Sequence, residues 1–407
     1  MFKMNNSQKY VVRGTANTVI LLFTTGGILQ TFFSYVGMNP GQIGVYTSMN
    51  NIVQIMVMIL GIIFVDQVSD VRRLVAKLSL SPVLFCFAML FFCVFNNAPI
   101  KVIFLTALVL SAFQNLLGGF KNVLEYRLPY QIIQMETYEK LENVIGIAGG
   151  ILSIAITVSI SIFSTAVDFP LVMIGGFSVS ILLCVLCSIV CQRMKAIKAM
   201  PKEDKFKVSK FGKFEFIYFY FPNFLRGCAN GIVGMMPVIC IYDISNNASV
   251  VSGMTVALSI SAILGSALYR ILGKRVKTKS VFMLGSLILF IALPLTLLGR
   301  IGAVFFAFYL IAGIGYSMVS ISGAVYATEF IKAEDIGAFS SMRLIMISAG
   351  QAVSSYIIGI LIGKIPSVLI IMIFGVCQLI SGILHYCYKN KIPPGAEKIG
   401  DTCTATK

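Results

Sequence analysis

Arg226 is the residue of this 407-residue chain whose setting most invites chemistry. It stands inside an apolar run, Pro222-Asn-Phe-Leu-Arg226-Gly227-Cys-Ala-Asn230-Gly231, with Pro237 further on. One proline and two glycines weaken a helix there, and interrupted helices expose backbone groups that can hold a solute. A guanidinium beside such groups can grip a carboxylate or phosphate through paired N–H donors. The other reading is that the apolar region begins near Phe221 and the side chain snorkels to its edge.

Other chemistries find little to work with. The sole histidine, His385, falls at the end of the last apolar run, so no Ser-His-Asp set can be assembled. Gly273-Lys274 is followed by Arg275 rather than Ser or Thr, and the spacing is wrong for a phosphate loop. Cys184, Cys187 and Cys191 share a helix face, yet no His or carboxylate accompanies them, so they read as small apolar residues. Every Asp and Glu lies near the end of an apolar run or in a loop, which leaves no mid-membrane carboxylate as proton carrier. Neither an enzyme, nor an ATP-driven pump, nor a bound cofactor is expected.

The elements that must position Arg226 are long and apolar. Hydrophobic residues make up 57% of the chain and charged residues 12%, about half the charged share of a soluble domain. Spans of about 20 apolar residues are predicted near 14–37, 41–65, 74–96, 99–121, 143–164, 170–191, 215–241, 247–268, 280–298, 301–326, 341–363 and 366–388. The first follows Lys3, Lys9 and Arg13, but 15–36 is too long for a signal peptide and shows no convincing cleavage site. Of 32 Lys and Arg, only Lys101, Arg300 and Lys364 fall in the alternate loops, and Arg226 in a span. Basic loops resist translocation, so the bias predicts both termini in the cytoplasm. The net charge of +16 is divided among loops too short to fold, which argues against nucleic acid as partner.

The chain reads as two halves. Residues 1–191 and 215–390 each hold six spans. The basic segment 192–214 joins them as a cytoplasmic linker that can meet anionic lipid, and 391–407 forms a tail. A shift of 204 residues maps Gly27 to Gly231, Gly61 to Gly265, Gly119 to Gly323, Gly146 to Gly350 and Glu125 to Glu329. Parallel six-helix repeats of this kind belong to a transporter architecture.

Two loops carry a resemblance. The first reads Gly61-Ile-Ile-Phe-Val-Asp66-Gln-Val-Ser-Asp70-Val-Arg72-Arg73, and its counterpart reads Gly265-Ser-Ala-Leu-Tyr269-Arg270-Ile-Leu-Gly273-Lys274-Arg275. Both are similar to the loop between the second and third helices of the major facilitator superfamily, near Gly-x-x-x-Asp-Arg-x-Gly-Arg-Arg. The chain departs from that pattern at Gln67, Ser69 and Tyr269. The resemblance covers essentially the whole chain and implies an all-α, polytopic membrane protein of twelve helices. A carboxylate at a helix end can meet a neighbouring dipole or guanidinium and latch one arrangement of the halves. Asp66, Arg72 and Arg73 are the gating candidates, with Arg343 as partner and Glu125, Arg127 and Glu329 as a second charged layer; the alternative is ordinary solvated loop charge.

The resemblance also implies a central cavity lined by the first, fourth, seventh and tenth helices. Their polar residues are Gln30, Gln114, Asn115, Arg226, Asn230 and Tyr316, and the second helix adds Asn51 and Gln54. Any one amide can instead serve a helix–helix hydrogen bond. The family's fourth-helix Arg motif appears as Gln114-Asn-Leu-Leu-Gly118 without the Arg, and the Gly-Pro signature of drug–proton antiporters is absent from the fifth helix. The reading is a monomeric secondary transporter in a cytoplasmic membrane, its loop economy suiting bacteria, that moves a small-molecule substrate by alternating access. A proton or sodium ion is a possible coupling ion. Leu128-Pro129-Tyr130 through Tyr138-Glu139-Lys140-Leu141 is faintly similar to the glycoside–cation symporters, which keeps sugar uptake as an alternative. Amphiphile export and a non-transporting sensor or assembly partner are the others.

Overall fold

A computed structural model describes residues 4–64, 68, 70–95, 98–125, 128–133, 135–196, 216–245, 247–273, 275–299, 302–330 and 336–387. Twelve helices in it are long and apolar enough to cross a membrane. They are α1 (Asn6–Tyr35), α2 (Pro40–Phe64), α3 (Val71–Val94), α4 (Ile100–Glu125), α5 (Met135–Phe163), α6 (Phe169–Gln192), α7 (Ile217–Ile244), α8 (Ala248–Gly273), α9 (Thr278–Gly299), α10 (Ala303–Phe330), α11 (Ile336–Leu361) and α12 (Ser367–Cys387). No strand occurs among the described residues. This is the arrangement lipid demands, since a helix satisfies its own backbone hydrogen bonds. Local signals set the starts. Asn5 and Gln8 form a capping box at α1, and Asp70 accepts from the N–H of Arg73 at α3.

Two helices differ from expectation. α7 runs as unbroken α-helix from Phe221 to Ile239 through both glycines and Pro237, flanked by π-helical turns at Phe216–Tyr220 and Cys240–Ile244. Its glycines serve packing rather than interruption. A Cβ on Gly227 or Gly231 would strike Ile347 or Ser354 of α11, so the small residues let the two backbones approach. The break lies instead in α1, where Thr25 is extended (φ −146°, ψ 165°) and Gly26 takes φ +74°, a left-handed value that favours glycine.

Helix starts repeat between the halves at nearly the predicted shift. Pro40 to Ala248 is 208 residues, and Phe169 to Ser367 is 198. The twelve spans alternate in direction, so the N-terminus and the end of α12 share one face, called here the near face. Across the halves, α2 packs on α11, α5 on α8, and the second part of α1 on α7. One hydrophobic core straddles both halves toward the far face, joining Ile28, Phe32, Met38, Phe92 and Phe169 to Met235, Ile239, Ala248, Phe305 and Ile362. Toward the near face, Tyr10, Val71, Val75, Leu124, Leu128 and Met194 form a core of the first half alone.

Candidate functional site

Closure at the far face comes from specific contacts. The Tyr242 hydroxyl donates to the carbonyl of Met38, the N–H of Ala248 donates to the Tyr35 hydroxyl at 3.2 Å, and the Ser164 and Ser249 hydroxyls meet at 3.5 Å. Below them α2 crosses α11 with almost no side chain between. A Cβ on Gly44 would lie 2.7 Å from the carbonyl oxygen of Ser355 and 2.9 Å from the Cα of Gly359. Below that crossing comes a polar layer.

Gln30, just past the break in α1, is buried between the halves. Its Nε2 reaches Thr47 Oγ1 of α2 at 3.4 Å and Met235 Sδ of α7 at 3.9 Å, while its Oε1 is buried without a partner. On α4, Gln114 also keeps a buried Oε1 with no partner, whereas Asn115 spends its amide on the carbonyl of Ser111. Asn51 likewise bonds back to Thr47 within α2, and Gln54 is half-buried on the same helix. A further bond, from Ser111 to Asn50 at 2.9 Å, ties α4 to α2. The buried Oδ1 of Asn230 on α7 has no partner, and Tyr316 on α10 is half-buried. Buried polar atoms are almost always paired, and the side-chain oxygens of Gln30, Gln114 and Asn230, on the first and fourth helices of one half and the first of the other, are not.

Arg226 is 4% exposed. Its Nη2 donates to Ser320 Oγ of α10 at 3.2 Å, and its Nε and Nη1 are buried with no acceptor. Nη1 lies over Gly323, one turn beyond Ser320, where any Cβ would displace it. Thus α7 reaches α10 through a side chain rather than by close backbone approach. Arg343 of α11 donates from Nη1 to the carbonyl of Gly323 at 2.8 Å, bringing a second guanidinium to the same turn of α10.

The first half has a counterpart of which the sequence marks Glu125 but not its partners Arg13 and Lys121. Arg13 of α1 is buried against Glu125 of α4, Lys121 stands 3.4 Å from the same carboxylate, and Lys121 Nζ donates to Asn17 Oδ1 of α1 at 2.7 Å. The predicted fourth span stopped at residue 121, whereas α4 continues to Glu125 and carries both charges into the bundle. The i, i+4 spacing of Lys121 and Glu125 was the available signal.

The remaining gating candidates separate. Arg72 and Arg73 both engage Asp70, at 3.1 and 3.2 Å, and Arg72 also donates to the carbonyl of Met194 beyond α6, so these bonds stay inside the first half. Partial burial alone would raise the Asp70 pKa, but the Arg72 hydrogen bond, the Arg73 backbone N–H and the two guanidinium charges outweigh it and hold it below its ordinary value. Asp66 and Arg127 lie outside the described residues, as does the side chain of Glu329. Cys184, Cys187 and Cys191 are buried free thiols packed against α1, and no group that could hold a metal occurs among the described residues.

The model of the Major Facilitator Superfamily matches residues 216–404. No curated protein matches the chain by sequence. Among solved structures, a mutant of the nucleoside transporter NupG is similar with a TM-score of 0.68 at 15% identity, over 94% of this chain and 99% of that one. The inward-open xylose transporter XylE from E. coli is similar with a TM-score of 0.71 at 11% identity, over 95% and 97%. At these identities the likeness is one of fold.

Proposed function

We propose that this chain belongs to the major facilitator superfamily, whose model matches its second half, and is a secondary transporter that carries a small polar solute past Gln30, Gln114 and Asn230. The observation that carries this reading is the unpaired buried oxygen on each of those three side chains, with Gln30 reaching across from the first half to Met235 of the second. An exporter of amphiphiles would line this layer with apolar side chains, because each buried, unpaired polar atom costs about 1–3 kcal/mol. The structures it resembles are described as transporters of nucleoside and of xylose, both polar solutes. In this reading the near face is cytoplasmic, as the basic loops favour. The arrangement described is then closed outward by Tyr242, Tyr35 and the Gly44–Gly359 crossing. Rocking of 1–191 against 215–390 opens the other side. Coupling to a proton or sodium ion would act at Glu125, the carboxylate held against Arg13 and Lys121.

The test is alkylation of single cysteines at Gln30 and Asn230 in right-side-out and inside-out vesicles. Each position is expected to react from the near side in the resting protein and from the far side once an opening substitution such as Tyr242→Phe is introduced. Reaction from one side only, with and without that substitution, would sink alternating access.

A further inference from the structure

We infer that Arg226, Ser320 and the space over Gly323 form an oxyanion site, so that the solute this protein carries bears a carboxylate or phosphate group. This rests on the transporter reading above and names the substrate class of that layer.

The argument begins with charge. A guanidinium is protonated at any physiological pH, and burying one without a counter-ion is among the most expensive things a fold can do. An anion that arrives during function is one way to offset that cost. Here no carboxylate among the described residues lies within ion-pair distance of Arg226, and its one hydrogen bond goes to a neutral hydroxyl. Two of its three nitrogens, Nε and Nη1, are buried without an acceptor. The second guanidinium, Arg343, bonds to the Gly323 carbonyl and supplies no negative charge to Arg226.

Placement completes the argument. Ser320 and Gly323 are three residues apart on α10, with Tyr316 one turn before Ser320, so they share a face turned toward α7. Asn230 stands one turn beyond Arg226 on α7, with its own unpaired oxygen. A solute lodged in the polar layer can therefore set hydroxyl or amide groups against Gln30 and Asn230 while its oxyanion meets Arg226. Glycine at 323 leaves the guanidinium its present position, because any larger residue would push Nη1 away. Hydrogen bonds between an ionised donor and an ionised acceptor are about twice as strong as neutral ones, so one such group would dominate affinity.

The experiment measures melting temperature and binding of the purified full chain in uncharged detergent. The probes are inorganic phosphate, succinate, a hexose phosphate and an anionic phospholipid, with xylose and uridine as uncharged controls. At least one anionic probe is expected to stabilise the native protein by mass action. Arg226→Gln should weaken that binding roughly 10- to 100-fold, Arg226→Lys should weaken it less, and Gly323→Ala should weaken it while keeping the charge. Anion binding equal in native protein and Arg226→Gln overturns the inference, and so does stabilisation by anionic lipid alone, which would make the partner a headgroup. Binding of xylose or uridine with no response to any anion overturns it too, while leaving the transporter reading intact. If Arg226→Gln fails to fold, the Gly323→Ala comparison decides.

Discussion

The Tyr242 hydroxyl donates a hydrogen bond to the backbone carbonyl of Met38, and the two residues stand 204 positions apart, the shift that relates the two halves of the chain. The contact joins the end of α7 to the turn after α1, the same point of each repeat. It therefore ties the first half of the chain to the second.

Removing that hydroxyl should loosen the far face. One such hydrogen bond is worth about 1 kcal/mol, so Tyr242→Phe is expected to raise the far-open population about fivefold. Spin labels at Gln42 and Lys364, on the two sides of this closure, would report it. A second, longer distance should grow in the variant and be weak in the native protein. An unchanged distance distribution would mean that the α2–α11 crossing alone holds the face shut.

That crossing makes a separate prediction. A methyl on Gly44 would meet the Ser355 carbonyl at 2.7 Å and the Gly359 backbone at 2.9 Å, neither of which is the flexible end of a side chain. Gly44→Ala should therefore force α2 from α11, at the 1–3 kcal/mol typical of overpacking. Its signature is a longer Gln42–Lys364 distance even with Tyr242 in place. A variant with native distance and native melting temperature would show that the helices slide to accommodate the methyl.

Much of this architecture is legible in the residues. Hydropathy marks all twelve spans, because a membrane allows few polar side chains along a helix, and the glycine spacing marks the repeat. Arg226 stands out for the same reason. What hydropathy hides is charge that is neutralised inside the bundle. Lys121 reads as the last residue of the fourth span and Glu125 as part of the loop after it, yet α4 runs on to Glu125 and sets it against Arg13. Glycine is equally ambiguous in sequence. Gly227 and Gly231 look like helix breakers and instead seat α11, while Gly26, one of several glycines in apolar runs, is where α1 breaks. Only the neighbouring helix decides between those roles.

Asp70 gives the near face a predictable response to acid. Its pKa is lowered in the folded protein by Arg72 and Arg73, despite partial burial. A carboxyl with a depressed folded value contributes stability that is fully present above its unfolded value, near 4. That contribution is lost as pH falls through the folded value. The melting temperature of Asp70→Asn should thus lie below that of the native protein at neutral pH, and the gap should close below about pH 4. Asparagine still caps α3, so the gap reports the charge rather than the cap. A gap that stays constant from pH 7 to 3 would show that the Arg72 and Arg73 contacts do not favour the ionised form.

The Arg13–Glu125–Lys121 cluster permits the strictest test, because it can be taken apart in two orders. Glu125→Gln leaves two buried cations without their carboxylate, and breaking a buried pair in this way costs about 3–5 kcal/mol. The lower end applies, since the Glu125 side chain keeps 25% of its exposure. Arg13→Met alone removes the more deeply buried cation while Lys121 still answers Glu125, so its cost should be smaller. If the pair acts as a unit, the double variant should be more stable than the sum of the two single losses allows, with a coupling of about 1–3 kcal/mol. Simple additivity in chemical or thermal unfolding would mean that Arg13 and Glu125 are held independently, and that Lys121 is the cation the carboxylate serves.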